Sequence, residues 1–213
     1  MTRAPVGPVP AGARPAAVLV LFAGTGVHDG DVLLLERAAT LRSHSGQVAF
    51  PGGALDPEDD GPLGAALREA VEETGLDAAG VDPLAVLPEL FLAPSGFGVR
   101  PVLAHWRSPS PVHAVDLAES ARVARVPLSE LLDPAHRFRV RHPSGYTGPA
   151  FAVRGLLVWG FTGGLLSSLL DLAGWERPWD SSDVRDLDAS LAAVRARSGH
   201  PAHPARRQGQ PCR

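Results

Sequence analysis

The chain has 213 residues, of which 45% are hydrophobic and 20% charged, and its 20 basic and 23 acidic residues leave a net charge of −3. This length suits one sizeable domain with its own core, and so weak a charge offers no electrostatic footprint for nucleic acid or an anionic membrane, leaving a small molecule as the expected partner. The only cysteine, Cys212, stands beside the C-terminus, so no intrachain disulfide can form and a reducing cytoplasm is the expected compartment.

Residues 1–15, rich in Pro, Gly and Ala, read as a disordered tail, and the domain is expected over residues 16–197. The run "AAVLVLFAG" from Ala16 follows Arg3 and Arg14 in loose imitation of a signal peptide. It is short, however, and its aliphatic character between Pro and Gly describes a buried strand. After the turn "GTGVHDGD", a strand is expected over Val32 to Glu36, a looped segment to Gly53, and a helix from about Leu63 to Thr74. Strands follow near Leu84 to Leu92, Val99 to Trp106 and Arg122 to Val126, then a short helix at "LSELLD" and strands near Phe138 to Arg141 and Ala150 to Val153. The run "GLLVWGFTGGLLSSLL" from Gly155 falls short of the roughly 20 residues that span a bilayer and is broken by glycines and serines, so it reads as a strand end entering a buried helix. The last segment, 198–213, reads as a second disordered tail, and the irregular spacing of His200, His203 and Cys212 does not describe a metal site. The order of elements gives a mixed sheet with helices, an α+β or α/β sandwich.

The helix carries the densest chemistry. In "GAALREAVEETGL" the glutamates Glu69, Glu72 and Glu73 fall within one arc of about 100° on a helical wheel, while Leu63, Ala66, Leu67, Ala70 and Val71 are expected to form a core-facing stripe. Like charges so placed oppose helix formation by a few tenths of a kcal/mol per pair. Two readings remain open from geometry alone: a solvated acidic face, or a blade of carboxylates holding a hard divalent cation. Upstream, "FPGGALDPEDDG" puts Gly52 and Gly53 in a turn where a backbone without Cβ can approach a ligand or ion.

Gly53, Asp59, Arg68, Glu69, Glu72, Glu73, Gly75 and Leu76 together resemble the signature of the Nudix hydrolases: a glycine, five residues, an acid, a spacer, then Arg-Glu-x-x-Glu-Glu-x-Gly. The chain departs from it in having Asp59 for Glu, a spacer one residue longer than usual, and Ala70 for a larger aliphatic. A second stretch, "LLLERAATLRSHSGQVAFPGG" over residues 33–53, is similar to the segment that precedes this box in coenzyme A pyrophosphatases. Leu33, Leu34, Arg37, Ala38, Arg42, Gly46, Phe50, Pro51, Gly52 and Gly53 fall in register, and only Leu35 departs, where Thr is usual. The likeness covers roughly residues 16–172.

This resemblance implies a Nudix fold, α+β, in which a mixed central sheet is flanked by helices as an α/β/α sandwich. It also implies an enzyme that hydrolyses a diphosphate with Mg²⁺ or Mn²⁺. Glu72 and Glu73 would be principal metal ligands with the Gly53 carbonyl nearby, and Glu69, held by Arg68, would be a ligand or the base. Arg122 stands where a second acid is common, leaving Glu119 as the other candidate base. Arg37, Arg42 and His44 would meet the phosphates of coenzyme A, and Gly46, Phe50 and Gly52 fall in the same substrate segment. Cleavage would give 3′,5′-ADP and 4′-phosphopantetheine or its acyl form. The alternatives are a pyrophosphatase for another nucleoside diphosphate derivative such as ADP-ribose, or a non-catalytic ligand-binding domain. Oligomeric state is left open.

Overall fold

The computed structural model describes residues 9–40, 45–93 and 95–198. Most of both expected tails, with His200, His203 and Cys212, lies outside the described residues, as do Arg42 and His44. The first strand, β1 (Arg14–Ala23), starts two residues before the expected Ala16 and is buried on both faces: Ala17, Leu19 and Leu21 enter one core, while Val18, Val20 and Phe22 pack against another. A strand covered on both sides reads as a continuous apolar run rather than an alternating one, which is what "AAVLVLFA" shows.

β2 (Asp31–Arg37) pairs antiparallel with β1. The expected loop up to Gly53 contains two short strands, β3 (Val48–Ala49) on β2 and β4 (Gly52–Ala54) on β1. Next comes α1 (Gly61–Thr74). The strand expected over Leu84 to Leu92 divides into β5 (Val81–Val86) and β6 (Leu90–Leu92), both on β7 (Phe97–Trp106). Pro88 lies in the gap, where it has no N–H for a ladder. β7 runs parallel to β1, and β8 (Ser120–Pro127) pairs antiparallel with β2, completing an eight-stranded mixed sheet.

The chain then passes through α2 (Leu128–Leu131) into a second, four-stranded sheet that the sequence did not suggest. It is built from β9 (Arg137–Arg141), β10 (Thr147–Val153), β11 (Leu156–Val158) and, after α3 (Gly160–Leu172), β12 (Val184–Asp186). β11 entering α3 matches the strand end and helix expected there, but α3 is buried along one side only, through Thr162, Gly163, Leu166 and Leu170, and Leu172 is exposed. α4 (Leu187–Ser198) closes the described chain. One core lies between the large sheet and α1, a second joins the sheet's other face to β10, β11 and α3, and a third lies between the small sheet and α4. The fold is thus α+β, with the central mixed sheet flanked by helices. Among the described residues no helix is long and apolar enough to cross a membrane.

Candidate active site

The site is built on α1 and the turn before it. Pro62 occupies the first turn of the helix, where a missing N–H costs nothing. Gly75 ends it in the left-handed conformation (φ 67°), its N–H bonded to the Val71 carbonyl at 2.9 Å.

The helix is rotated from the expected wheel. Its buried residues are Ala65, Ala66, Ala70, Glu73 and Thr74, while Val71 is 40% exposed and Leu63 and Leu67 are only partly buried. Taking Glu69 as zero at 100° per residue, that buried arc runs from about −40° to +140°, so Glu73, at about +40°, falls inside it. The alanines explain the rotation. Their small side chains let the helix backbone lie close on Ala17, Leu19 and Val102 of the sheet, and the bulkier Leu63, Leu67 and Val71 are left to its margins.

The three glutamates therefore do not form one exposed blade. Their side chains are 58% exposed at Glu72, 19% at Glu69 and 8% at Glu73. Burial pushes the Glu73 carboxyl up to about 7, against the opposing effects of the Gly52 N–H, which donates to its Oε2 at 2.9 Å, and of the Arg37 guanidinium at 3.8 Å. The charges of Glu69 and Glu119 raise it further. Glu69 is also raised, again chiefly by burial.

Arg68 organises the rest. Its Nη1 donates to both Glu69 and Glu72 at 3.1 Å, its Nε and Nη2 fork onto Asp59 at 2.9 and 3.0 Å, and Nη2 also reaches the Ala54 carbonyl at 3.1 Å. Hydrogen bonding from Arg68 holds the Asp59 carboxyl below the usual carboxylate range. Asp59 in turn accepts the Asp56 N–H at 2.8 Å, so the acid at the departed signature position still ties the loop to the helix. Close approach requires Gly52 (φ 154°), where a Cβ would strike the Ala17 carbonyl, while a Cβ on Gly53 would displace the Glu69 carboxylate.

The remaining expected residues divide. Arg37 is brought to the site by its ion pair with Glu73, and Gly46, in a left-handed turn, donates its N–H to the Arg37 carbonyl. Glu119 is exposed at the head of β8 and bonds through its carbonyl to the Ala38 N–H. Phe50 is buried in the core with Val20 and Phe151, so its ring supports the turn and offers no surface to a substrate. Sequence reading missed Ser120, the cross-strand partner of Arg37. The Ser120 hydroxyl and Arg37 Nε are both buried without a hydrogen-bond partner among the described residues. It also missed the loop after β7, which docks on the end of α1 by the His113 N–H to the Thr74 carbonyl and the Val115 N–H to the Glu73 carbonyl.

Among the described residues no three acidic, His or Cys side chains converge as a ready metal cage. Glu73 accepts the Gly52 N–H and lies near enough to Glu69 for that charge to act on it. Glu69 and Glu72, however, meet at a single Arg68 nitrogen, with the Gly53 backbone against Glu69. Two carboxylates so close, one of them desolvated, with a backbone free of Cβ beside them, fit a hard oxygen-seeking divalent cation.

The family model described as NUDIX domain matches residues 12–144. The uncharacterized Nudix hydrolase NudL of Cronobacter sakazakii is 45% identical over 119 residues, which is 56% of this chain and 60% of that protein, so the chain spans less than two thirds of that relative. The protein of the same name from Enterobacter sp. is 37% identical over 163 residues, 73% of this chain and 81% of its own length. Among solved structures, the Nudix hydrolase RenU of M. smegmatis aligns with a TM-score of 0.54 at 21% identity, over 79% of this chain and 90% of that one, a likeness of fold alone.

Proposed function

This chain belongs to the Nudix hydrolase family, and from that premise we propose that it is a metal-dependent pyrophosphatase cleaving the diphosphate of coenzyme A or an acyl derivative, giving 3′,5′-ADP and 4′-phosphopantetheine or its acyl form. The observation that carries the substrate assignment is the contact of Arg37 with Glu73 at 3.8 Å. It brings the first arginine of the coenzyme A-like segment to the helix that bears the box glutamates. The Arg37 side chain is 31% exposed, so part of its guanidinium is open to an anion.

Mg²⁺ or Mn²⁺ held here would neutralise the diphosphate and the charge that develops on it. Glu69, Glu72 and Glu73, with the Gly53 carbonyl, are the residues that would hold it; Glu73 accepts the Gly52 N–H through Oε2, which leaves its Oε1, 3.8 Å from Arg37, for a cation. Arg68 keeps Glu69 and Glu72 aimed at one point by bonding both from a single nitrogen. Glu119, exposed and close enough for its charge to act on Glu73, would take the proton of the attacking water, with Glu69 as the other candidate base. Burial raises the Glu69 carboxyl above its ordinary range, which suits that residue for the task.

The test is to incubate the full chain with coenzyme A and either metal ion and to resolve the products, with ADP-ribose in parallel. Release of 3′,5′-ADP at a catalytic efficiency well above that on ADP-ribose is expected. Equal efficiency on both, or no cleavage of coenzyme A, would overturn the substrate assignment while leaving the roles of the box glutamates to be judged on ADP-ribose.

A further inference from the structure

A cleft of about 420 Å³ opens along β8, the strand that begins beside Glu119, and its lining includes Ser110, Pro111, Val112, Arg122, Arg125 and Arg154. Each of the three guanidinium groups is anchored by only part of its hydrogen-bonding edge. Arg125 forks through Nε and Nη2 onto Asp31, at 3.0 and 2.6 Å, and lies over the Trp106 ring at 5.1 Å. Arg154 bonds Glu130 through Nε at 2.8 Å. Arg122 donates through Nη1 to the Arg154 carbonyl at 3.1 Å. Among the described residues, Nη1 of Arg125, both terminal nitrogens of Arg154, and Nε and Nη2 of Arg122 make no hydrogen bond. Asp31 and Glu130 pair with two of the three guanidinium groups and Glu36 stands across the ladder from Arg122, which leaves several donors along one opening. Guanidinium groups held by one edge and presenting the other are preorganised for the several acceptor oxygens of a phosphate.

The backbone at Arg154 supplies an independent reason to look here. Val153 pairs with Leu156, so Arg154 and Gly155 form the two-residue turn of the β10–β11 hairpin, and both have positive φ, 50° and 73°. Such turns favour Asn-Gly or Gly-Gly, and a long side chain in this conformation is rare. The hairpin does not need an arginine at this position and would be better served without one. What the residue contributes is its guanidinium at the cleft, and strain retained for a side chain's placement is a mark of a functional site.

We propose that this cleft binds a phosphomonoester group. Arg122 is three residues along from Glu119, about 10 Å at most for an extended chain, which puts the cleft within reach of a phosphate attached to a nucleoside whose diphosphate lies at α1. The substrate's own ribose phosphate is therefore one source, which rests on the function proposed above, and a separate phosphomonoester is the other.

Two variants of the full chain test this, Arg122→Ala and Arg154→Gly. The second removes a cation and its pairing with Glu130 while relieving the positive-φ turn, and a melting temperature equal to or above wild type shows that lost binding there does not come from misfolding. Calorimetric titration of the metal-free protein with adenosine 3′-monophosphate, against adenosine, should show binding that depends on the phosphate and weakens about tenfold or more in each variant. Binding equal in wild type and both variants, or no preference over adenosine, would overturn the proposal. Steady-state kinetics then separate the sources. A raised KM for coenzyme A with an unchanged KM for dephospho-coenzyme A assigns the phosphate to the substrate, whereas weakened nucleotide binding with neither KM changed assigns it to a separate ligand. Should coenzyme A not be cleaved, the calorimetric result still decides the cleft, so the two readings fail independently.

Discussion

Two arginines show how differently the α1 layer and the C-terminal layer use charge. Arg68 is surrounded by an excess of carboxylates: Asp59, Glu69 and Glu72 accept its hydrogen bonds and Asp56 lies at 3.4 Å. Arg137, at the start of β9, is 2% exposed and has one carboxylate partner, Glu176 at 2.7 Å, with Ser167 accepting at 2.9 Å. It lies between the Phe151 and Trp179 rings at 4.9 and 4.6 Å, and its Nε and Nη1 have no hydrogen-bond partner among the described residues. Around Arg68 one cation faces several anions, so the cluster retains negative charge for an incoming ion. Around Arg137 the cation itself is the packing element, joining the loop after α3 to the small sheet, and burial lowers its pKa.

The comparison breaks if charge removal has the same consequence in both layers. The largest effect should come from Glu72→Gln, which is expected to cut turnover by orders of magnitude at saturating metal while leaving the melting temperature within about 2 °C, because the side chain is mostly exposed. Near wild-type turnover would remove Glu72 from the ligand set. Arg137→Ala should do the reverse. Stranding Glu176 and emptying the space between two rings is expected to cost about 3 kcal/mol of stability. Denaturant unfolding measures that loss, and kcat per folded molecule should be unchanged; a kcat that fell in proportion would mean the two layers are coupled.

Glu73→Gln sharpens the contrast within α1. The folded-state pKa of Glu73 is raised from 4.5 to about 7. Its contribution is therefore least harmful below pH 4.5, becomes destabilising as pH rises through that interval, and is fully so above pH 7. A glutamine keeps an acceptor for the Gly52 N–H without the buried charge. Chelator-treated Glu73→Gln should thus be more stable than wild type at pH 8, by on the order of 3 kcal/mol at most, with the gap closing towards pH 4.5. Thermal melts across that range give the answer, and a gap that grew towards acid would reverse the assigned cause. The smallest effect belongs to Val71→Ala. At 40% exposure it should cost no more than about 0.5 kcal/mol, whereas a value near that of a buried aliphatic residue would restore the core stripe expected from the wheel.

Spacing in the sequence was enough for the elements whose signals are local. The apolar runs of β1 and β2, the glycine that stops α1, the strand entering α3, and the fixed intervals linking Gly53, Asp59, Arg68 and the three glutamates all depend on neighbours a few residues away, where backbone sterics and helical or strand period decide. Pairings between distant segments were not legible. β12 is three exposed residues that become a strand only because β9 lies alongside, and Arg137 looks like any strand arginine until Glu176 and two rings enclose it. Glu73 shows the limit most sharply. Its place in an acidic arc follows from the sequence, but its burial follows from how alanines let α1 settle on the sheet, which turned Glu73 towards Gly52 and Arg37. A helical wheel fixes the angles between side chains and carries no information on which angle faces the sheet, since that orientation is set by the total packing of both surfaces.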